Sequence, residues 1–478
     1  MYRNFLTTIL NVLFLSIFFT ECSDDQINGS APYSLSSLTQ LIEEAEDLVE
    51  NSVEGYLIGH YPIGSQEILN NEISKAQDVL ASTDQNEIDE STQTLTKAIS
   101  TYSSSVITEE NIGFSNLRDS TFISLVSSGM INQYITTLGL TDVLSGVDLL
   151  DVKAYKIEYK TSNTEGTDLI ASGLVVTPTE GGDLPLFSYQ HGTIWSYDMA
   201  PSEFDKNTEA TILASIFASS GFIAVLPDYI GYGSSSAYPH PYEHSESLGS
   251  SCYDMIVAAQ ELLQLLSISW NSQLFITGYS EGGNATMALH QHIEAHSSIK
   301  VTMSAPGAGA YNKSLFLDYI INADEDLPFL KVYLWVLDTY DGIYGLDRDK
   351  KEYFAEPHAT TIAKLTDPFD YPNLDVPINP QVLFNPNFIS GLKDGTDVDF
   401  LDAIAQNDNF NWSPRYPITL YYGDADQYVI PENSETAYEA ILENGGDIKR
   451  VIFEGKNHFT ANIPYITTVF EQFYTMKN

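Results

Sequence analysis

The stretch LFITGYSEGGNATMAL, from Leu274 to Leu289, restricts the fold more than any other part of the chain. The apolar run LFIT predicts a buried strand, and the small-residue run after it predicts a helix. Ser280 stands between Gly278 and Gly282, at the turn where the two elements meet. Glycines are expected there because strand and helix pass too close for a Cβ atom. A serine held in such a turn points out of the sheet, which makes Ser280 a candidate nucleophile.

From about Asn111 onward, short apolar runs alternate with helical patterns. The runs typical of buried parallel strands are LPLFSYQHG, GFIAVLPDY, SQLFITGYS and IKVTMSAPG, and a half-exposed hairpin precedes them in AYKIEYKT and LIASGLVVTP. The helical patterns include TEATILASIFASS and SLGSSCYDMIVAAQELLQLL. This alternation predicts an α/β fold with a doubly wound, mostly parallel sheet. Ligands of such folds bind at the carboxyl ends of the strands, where Ser280 is expected.

A serine hydroxyl becomes an effective nucleophile only when a nearby base takes its proton. In its strand-turn-helix setting, GYSEG resembles the nucleophile elbow of the α/β-hydrolase superfamily, whose acid and histidine follow the serine along the chain. The family's G-x-x-D-x-x-V segment resembles YPITLYYGDADQYVIP, and its spacing selects Asp426, with Asp424 as the alternative. One more strand and turn, IKRVIFEGKNHFT, leads to His458. The resemblance implies a catalytic triad of Ser280, Asp426 and His458, with the histidine as general base.

Such a reaction also needs hydrogen-bond donors for the oxyanion that forms on the substrate carbonyl. The resemblance implies two of them: the backbone N–H of Glu281, and a donor within SYQHGTIW at Thr193 or Gly192. The side chain of Glu281 is a departure, because a carboxylate beside a forming oxyanion opposes it. This side chain therefore has to point away, pair with a donor or stay protonated.

The most specific resemblance rests on the run VLPDYIGYGSSSAYPHPYEHSES. It is similar to the corresponding run of a secreted lipase and esterase branch, whose fungal members are triacylglycerol lipases. The likeness covers most of residues 111–478, the predicted hydrolase domain, and implies hydrolysis of carboxylic esters. Within the run, Asp228, Tyr229, His240 and His244 either support the site or pack and cap loops.

The family carries a helical cap over the active site, and here the insertion is expected over about residues 310–412. Its stretch KSLFLDYIINADEDLPFLKVYLWVLDTYDGIYG is strongly apolar and aromatic. An irregular loop or lid segment is expected in the Pro-rich stretch LTDPFDYPNLDVPINPQVLFNPNF. The residues that either line an acyl pocket or form the core of the cap are Leu330, Tyr333, Leu334, Trp335, Leu337 and Tyr340.

The first residues, MYRNFLTTILNVLFLSIFFTECSDD, are predicted to form a targeting segment, in which Arg3 precedes an apolar run. The run is short for a membrane-spanning helix of about 20 residues. It resembles a bacterial lipoprotein signal over residues 1–21, which implies lipidation of Cys22. Glu21 departs from the small residue usual there, and an ordinary secretory signal is the alternative. The expected location is the bacterial cell envelope, as an outer-membrane or cell-surface lipoprotein, or otherwise outside the cell.

A polar linker over residues 22–34 precedes three amphipathic stretches, which predict a small helical bundle over residues 35–107. The bundle resembles the FIVAR-type three-helix module of bacterial surface proteins, in GHYPIGS and in the pattern that follows EID. In that family the module is a spacer or binds sugar or protein, and both functions stay open here. Tyr56 and Tyr61 are its prominent aromatic residues, and a core would absorb them.

The charge balance excludes some classes of partner. The chain has 21 Lys and Arg against 65 Asp and Glu, a formal net charge of -44. Nucleic acid and anionic membranes are repelled by such a surface, so a membrane is expected as partner only through the lipid anchor.

Cys252 lies in a helical pattern and is expected to be a buried thiol. His292 and His296 are four residues apart, but no third ligand accompanies them, so neither a metal nor another cofactor is expected.

These patterns together predict a serine hydrolase that cleaves a small-molecule or lipid carboxylic ester through an acyl-enzyme at Ser280. Two other enzymes with the same triad remain as alternatives. One is a carbohydrate esterase that removes acetyl or feruloyl groups from polysaccharide, and the other is a serine peptidase. A non-enzymatic adhesion protein on this scaffold is disfavoured, because adhesion does not need the three triad residues.

Overall fold

The computed structural model describes residues 33–55, 57–108, 112–204 and 208–477. The chain divides into two compact units, one of residues up to 55 with 60–106, the other of residues 56–59 with 107–478. The predicted signal and the lipidation site Cys22 lie outside the described residues and stay predictions. Among the residues that are described, no helix is both long and apolar enough to cross a membrane.

The first unit is built from α1 (Leu35–Glu50), α2 (Ser65–Val79) and α3 (Gln85–Ser104). Ser34 caps α1 and Asp84 caps α3, each through a side-chain oxygen that accepts a backbone N–H of the first turn. These caps and the helical spacing of the apolar residues explain why the three segments are helical.

The apolar faces of these three helices pack into one core. The ring of Tyr61 stacks on that of Tyr102, with centroids 4.3 Å apart, so Tyr61 contributes to this core. The buried members of the core are Leu38, Ile42, Ala45, Leu69, Ile73, Ala76, Leu95 and Tyr102.

The described part of the second unit contains a mixed sheet of nine strands, in the order β1-β2-β3-β5-β4-β6-β7-β8-β9. The pairs β1–β2, β2–β3 and β3–β5 are antiparallel, and every pair from β5–β4 to β8–β9 is parallel. The predicted doubly wound, mostly parallel sheet is therefore confirmed. The strands are β1 (Leu117–Val126), β2 (Val152–Ser162), β3 (Asp168–Pro178), β4 (Leu184–Gln190), β5 (Ile223–Pro227), β6 (Trp270–Tyr279), β7 (Met303–Gly307), β8 (Ile418–Gly423) and β9 (Ile448–Phe453).

Helices cover both faces of the sheet. Leu186 and Phe187 are neighbours on β4 and belong to different apolar cores, which therefore lie on opposite faces. The ring of Phe187 stacks on that of Phe217, with centroids 3.7 Å apart, and Phe470 belongs to the same core, whereas Leu186 shares the other core with Leu289. The flanking helices are α4 (Ser128–Thr137), α5 (Glu209–Ser219), α6 (Ser245–Leu265), α7 (Glu281–His296), α15 (Pro431–Glu443) and α16 (Asn462–Met476).

Strand β1 is an element that the sequence patterns do not predict. It lies at the edge of the sheet, and only its first and last residues are buried. Phe122 and Leu125 are 54% and 57% exposed, so its apolar residues do not alternate with polar ones in the usual way. Shifts in its register with β2 disturb the alternation further.

The carboxyl ends of the parallel strands meet at one edge of the sheet. Gln190 at the end of β4 pairs with Gly278 near the end of β6. Tyr279 pairs with Gly307 at the end of β7. The turns that follow these strands therefore open at the same edge, as do those that follow β8 and β9, which pair in parallel with each other. The residues predicted for the site lie in these turns.

The chain between β7 and β8 forms a cap with an apolar core of its own. Of the six cap residues considered above, Tyr333 is half-buried against this core and the other five are buried in it. The helices of the cap are α8 (Lys313–Asn322), α9 (Leu330–Ile343), α10 (Lys350–Tyr353), α11 (His358–Ile362), α12 (Pro380–Leu383), α13 (Pro386–Lys393) and α14 (Val398–Ala405).

The Pro-rich stretch of the cap is more regular than the sequence predicts. It contains a 3₁₀ turn, Pro368–Asn373, and the short helices α12 and α13. Asn379 and Asn385 each accept a backbone N–H of the helix that follows. Proline at the first helical position is favourable because its missing N–H has no intrahelical partner there. The prediction of an irregular segment is therefore wrong for these two Asn-Pro starts.

Candidate active site

Ser280 occupies the turn between β6 and α7, with φ of +61° and ψ of −123°. A positive φ is uncommon for a residue with a Cβ and persists only where the surrounding packing maintains it. A Cβ on Gly278 would lie 2.3 Å from the carbonyl oxygen of Gln190, and a Cβ on Gly282 would lie 2.0 Å from the same atom. Both glycines are therefore needed for the close approach of this turn to β4.

The structure brings Ser280, His458 and Asp426 into one hydrogen-bonded chain. Nε2 of His458 lies 2.9 Å from Oγ of Ser280, and Nδ1 lies 2.6 Å from Oδ2 of Asp426. A carboxylate only accepts, so Nδ1 carries a proton and Nε2 is left to accept the serine hydroxyl. The side chains of His458 and Asp426 are 8% and 0% exposed, which keeps bulk water away from this pair.

Asp424, the alternative acid, lies elsewhere. It is exposed, and its Oδ1 accepts the backbone N–H of Gly455 at 2.6 Å. Asp426 differs because it follows β8 by a turn that directs its side chain inward. Its Oδ1 accepts the N–H groups of Tyr428 and Val429 at 2.8 and 3.0 Å, which leaves Oδ2 for the histidine.

Gly192 and Thr193 follow β4 and lie beside the elbow. A Cβ on Gly192 would be 3.1 Å from the carbonyl oxygen of Tyr279 and 3.8 Å from Cβ of Ser280. The hydroxyl of Thr193 is 2.9 Å from that of Tyr242. Glu281 is the first residue of α7, where backbone N–H groups have no partner within the helix. The predicted oxyanion donors therefore come from two elements, and Gly192, Thr193 and Ser280 line the same cavity.

The side chain of Glu281 forms a hydrogen bond with His240, which fits two of the three arrangements expected from the sequence, pairing with a donor or retention of a proton. Its Oε1 lies 2.7 Å from Nε2 of His240, and both side chains are buried, at 1% and 3% exposed. Nδ1 of His240 lies 2.7 Å from the carbonyl oxygen of Ile230. The carboxylate next to the candidate nucleophile is therefore held by a histidine from the PHPYEH run.

The other polar residues of that run support the backbone around the site. Tyr229 donates its hydroxyl to the carbonyl oxygen of His191, the residue before Gly192. Asp228 accepts the N–H of Ser202 and the hydroxyl of Ser172. His191 itself lies outside that run, and burial lowers the pKa of its imidazole. Of the four residues considered from the sequence, His240 contacts a residue adjacent to Ser280, whereas Asp228 and Tyr229 hold loops.

His244 begins α6 and accepts the hydroxyl hydrogen of Ser247 at 2.8 Å through Nδ1. Burial lowers the pKa of this histidine to about 4, and the positive charge of Lys313 acts in the same direction. His244 is therefore a neutral helix cap at physiological pH, with its imidazole as acceptor.

A cavity of about 850 Å³ is lined by both Ser280 and His458, a volume within the usual range for small-molecule sites. Part of the lining comes from α5 and α16 and part from the cap. Tyr189, which also lines it, donates its hydroxyl to Glu209 at 3.0 Å. The members from α5 and α16 include Glu209, Leu213, Asn462 and Ile466, and those from the cap include Phe329, Val332, Tyr333 and Pro372.

A second, smaller cavity of about 60 Å³ lies within the cap and has an almost wholly apolar lining. Glu243 and Tyr333 line both cavities. Nζ of Lys313 lies 3.4 Å from Oε2 of Glu243, with both side chains buried. Burial nevertheless raises the pKa of Glu243 to about 7, because the nearby Lys313 offsets the loss of water only in part.

Two groups considered from the sequence are not among the residues that line the cavity at Ser280. Cys252 is a free, fully buried thiol on α6, and burial raises its pKa, which makes it a poor nucleophile. The rings of His292 and His296 are 4.6 Å apart on α7. Within the described residues, no group of three or more His, Cys, Asp or Glu is arranged to hold a metal ion.

Two tyrosines contact the candidate base without having been predicted from the sequence. Tyr279 donates its hydroxyl to the carbonyl oxygen of His458 at 2.7 Å. The ring of Tyr428 lies nearly parallel to the imidazole, with centroids 5.7 Å apart. Both residues are close in sequence to predicted ones, since Tyr279 precedes Ser280 and Tyr428 follows Asp426 by two positions. Their closeness in sequence to Ser280 and Asp426 was the signal from which these two contacts with His458 could have been predicted.

Solved structures with a similar fold cover most of the second unit. A protein from Legionella pneumophila assigned as a hydrolase is 26% identical with a TM-score of 0.68, over 76% of this chain and 98% of that chain. A mutant of LipA, a rice cell wall degrading esterase from Xanthomonas oryzae, is 25% identical with a TM-score of 0.66, over 76% and 99%. Candida antarctica lipase A, at 16% identity and a TM-score of 0.55 over 76% and 82%, is similar in fold alone. The second unit has the α/β-hydrolase fold.

Residues 33–109 match a family model described as a domain of unknown function, DUF4972. This match spans the helical unit, and the resemblance of that unit to FIVAR modules stays a prediction. No curated protein matches the chain in sequence.

Proposed function

We propose that this protein is a serine hydrolase that cleaves carboxylic esters through an acyl-enzyme at Ser280. The observation that carries the proposal is the chain of hydrogen bonds from Ser280 through His458 to Asp426, within a cavity large enough for a small ester. The α/β-hydrolase fold supports it, as does the likeness to proteins described as a hydrolase and an esterase.

In the proposed reaction, Oγ of Ser280 attacks the ester carbonyl carbon while Nε2 of His458 takes the hydroxyl proton. Electrons of the carbonyl double bond move onto its oxygen, which becomes an oxyanion. When the tetrahedral intermediate collapses, the carbon–oxygen bond to the alcohol breaks and His458 returns the proton to the departing oxygen. Water then attacks the acyl-enzyme with the same base, which releases the acid and restores Ser280.

Asp426 fixes the tautomer of His458 and stabilises the imidazolium that forms during each half-reaction. The backbone N–H of Glu281 and a donor at Thr193 or Gly192 bind the oxyanion. Loss of one such donor raises a reaction barrier by about 2.7–4 kcal/mol, which lowers kcat by about 10²- to 10³-fold.

A carbohydrate ester is the second candidate substrate. It is favoured by the likeness to LipA, which is a cell wall degrading esterase, over nearly the whole length of that protein. Polar groups of this chain, among them Glu209 and Asn462, line the cavity beside the apolar cap residues. Acetate or ferulate release from esterified polysaccharide, compared with hydrolysis of triacylglycerol, distinguishes the two substrate classes.

The proposal is tested by Ser280→Ala. We expect the variant to fold but to lose hydrolysis of p-nitrophenyl esters and covalent labelling by a fluorophosphonate, because both require the serine oxygen. Ser250→Ala is a matched control, since Ser250 is a half-buried serine whose hydroxyl donates to Ser247 on the same helix. Ester hydrolysis by Ser280→Ala at the wild-type rate would exclude the proposed function.

A further inference from the structure

Glu281 has two roles that conflict unless its charge is cancelled. Its backbone N–H is a proposed oxyanion donor, and its side chain is a carboxyl group next to the nucleophile. That side chain is 1% exposed, so water does not screen its charge. How this charge is cancelled matters only if Ser280 acts as the nucleophile, so the role assigned to its partner rests on the proposed function.

The contacts of His240 determine how many protons the pair holds. A carbonyl oxygen only accepts, so the 2.7 Å contact with Ile230 requires a proton on Nδ1. The 2.7 Å contact between Nε2 and Oε1 of Glu281 requires one further proton, on either the nitrogen or the oxygen. In both cases the imidazole and the carboxyl group together carry no net charge.

The surroundings of His240 favour this arrangement. Its ring centroid lies 4.8 Å from that of Tyr232 and 5.6 Å from that of Trp335, and aromatic rings attract a cation that lies near them. Gly231, with φ of +94°, lets the backbone approach closely, since a Cβ there would lie 2.5 Å from Cα of His240. The ring is thus held in place, away from water.

We propose that His240 is a positioning residue that cancels the charge of Glu281, so that an oxyanion can form beside it. The histidine touches neither substrate nor the reacting atoms. It acts through Glu281, whose N–H donates to the oxyanion while its carboxyl group stays neutralised. Removal of His240 alone leaves a buried carboxylate that repels the oxyanion, and removal of both charges relieves that repulsion.

The test is a double-mutant cycle of His240→Asn, Glu281→Gln and the double variant. Asparagine keeps a donor near Ile230 but does not reach Glu281. We expect His240→Asn to lower kcat by about 10²-fold, an effect like the loss of an oxyanion donor, with a smaller change in KM. Addition of Glu281→Gln in that background is expected to raise kcat again by about tenfold or more.

If the role of His240 were merely structural, the double-mutant cycle would give a different result. If His240→Asn keeps the wild-type kcat, or if the double variant is no more active than His240→Asn at equal thermal stability, the inference is wrong. Rescue by Glu281→Gln cannot arise from packing around His240, because the second substitution restores no contact with the missing ring.

A second measurement needs neither activity nor a variant that folds well. In wild-type protein labelled with ¹⁵N-histidine, we expect a slowly exchanging proton in the bond between His240 and Glu281 at neutral pH, because the 2.7 Å contact requires one. An unprotonated Nε2 without a hydrogen bond at that pH would overturn the inference. The proposed function is tested separately by Ser280→Ala, so failure of one is not mistaken for failure of the other.

Discussion

At the residue scale, two nearby aspartates show how position decides chemistry. Asp424 and Asp426 lie in the same turn after β8, yet the first is exposed and the second is buried. Asp426 accepts two backbone N–H groups and faces His458, whereas Asp424 accepts the N–H of Gly455. A carboxylate that is both buried and hydrogen-bonded can hold an imidazole in one tautomer, and an exposed one cannot.

The two aspartates therefore make a matched pair of variants. We expect Asp426→Asn to lower kcat for p-nitrophenyl esters by about 10⁴-fold, since an amide favours the wrong tautomer of His458. Asp424→Asn is the control and should keep kcat close to the wild-type value. Equal losses in the two variants, at equal thermal stability, would contradict the assignment of the acid.

At the scale of elements, the residues of the candidate site lie at the ends of strands and helices. The turns after β4, β6, β8 and β9 supply these residues, and α7 begins at Glu281 immediately after the candidate nucleophile. Helix α6 begins at the edge of the same region, with His244 as its cap. Caps of this kind connect the stability of a helix to the protonation state of one side chain.

Folding lowers the pKa of His244 from 6.5 to about 4. Between these values the unfolded chain binds more protons, so this group makes the free energy of unfolding fall as pH falls, by at most about 1.4 kcal/mol per pH unit. His244→Asn keeps a capping oxygen but does not titrate, so we expect a shallower fall between about pH 6.5 and about pH 4. Urea denaturation over that range measures it.

Ser247→Ala is the control for this variant, because it removes a hydroxyl that donates to His244 but leaves the histidine in place. It should lower the free energy of unfolding without abolishing its dependence on pH. An identical pH dependence in wild type and His244→Asn would show that His244 does not cause the effect.

At the scale of the whole molecule, the walls of the two cavities come from parts of the chain that are far apart in sequence. The larger cavity has walls from β4, α5, α16 and the cap, and the smaller one lies inside the cap. Tyr333 lines both, so its side chain stands between the candidate nucleophile and the apolar interior of the cap. An acyl chain that passed Tyr333 would bury its CH₂ groups among apolar side chains.

Tyr333→Ala is expected to join the two cavities and shift preference toward longer acyl chains. Each CH₂ that finds room contributes about 0.8 kcal/mol, or about fourfold in kcat/KM. A panel of p-nitrophenyl esters from acetate to long acyl chains measures the shift. Tyr333→Phe keeps the ring and should keep the wild-type preference, so an equal shift in both variants would exclude the separation of cavities as the cause.

Much of the fold could be predicted from the sequence because it depends on local patterns. Buried parallel strands are short apolar runs, and the elbow requires glycines on both sides of Ser280. Where the local pattern was weak, prediction failed: β1 is half-exposed on the edge of the sheet, and two Asn-Pro pairs start helices in a stretch that resembles a loop.

The sequence by itself determined the α/β class, the strained turn at Ser280 and the spacing that prefers Asp426 to Asp424, since each depends on neighbours a few residues away. Only the tertiary structure decided that the carboxyl group of Glu281 meets His240, 41 positions away, and that His458 reaches Ser280 across 178 positions. Such contacts depend on how strands are ordered and how loops pack against one another. No short stretch of sequence contains that information.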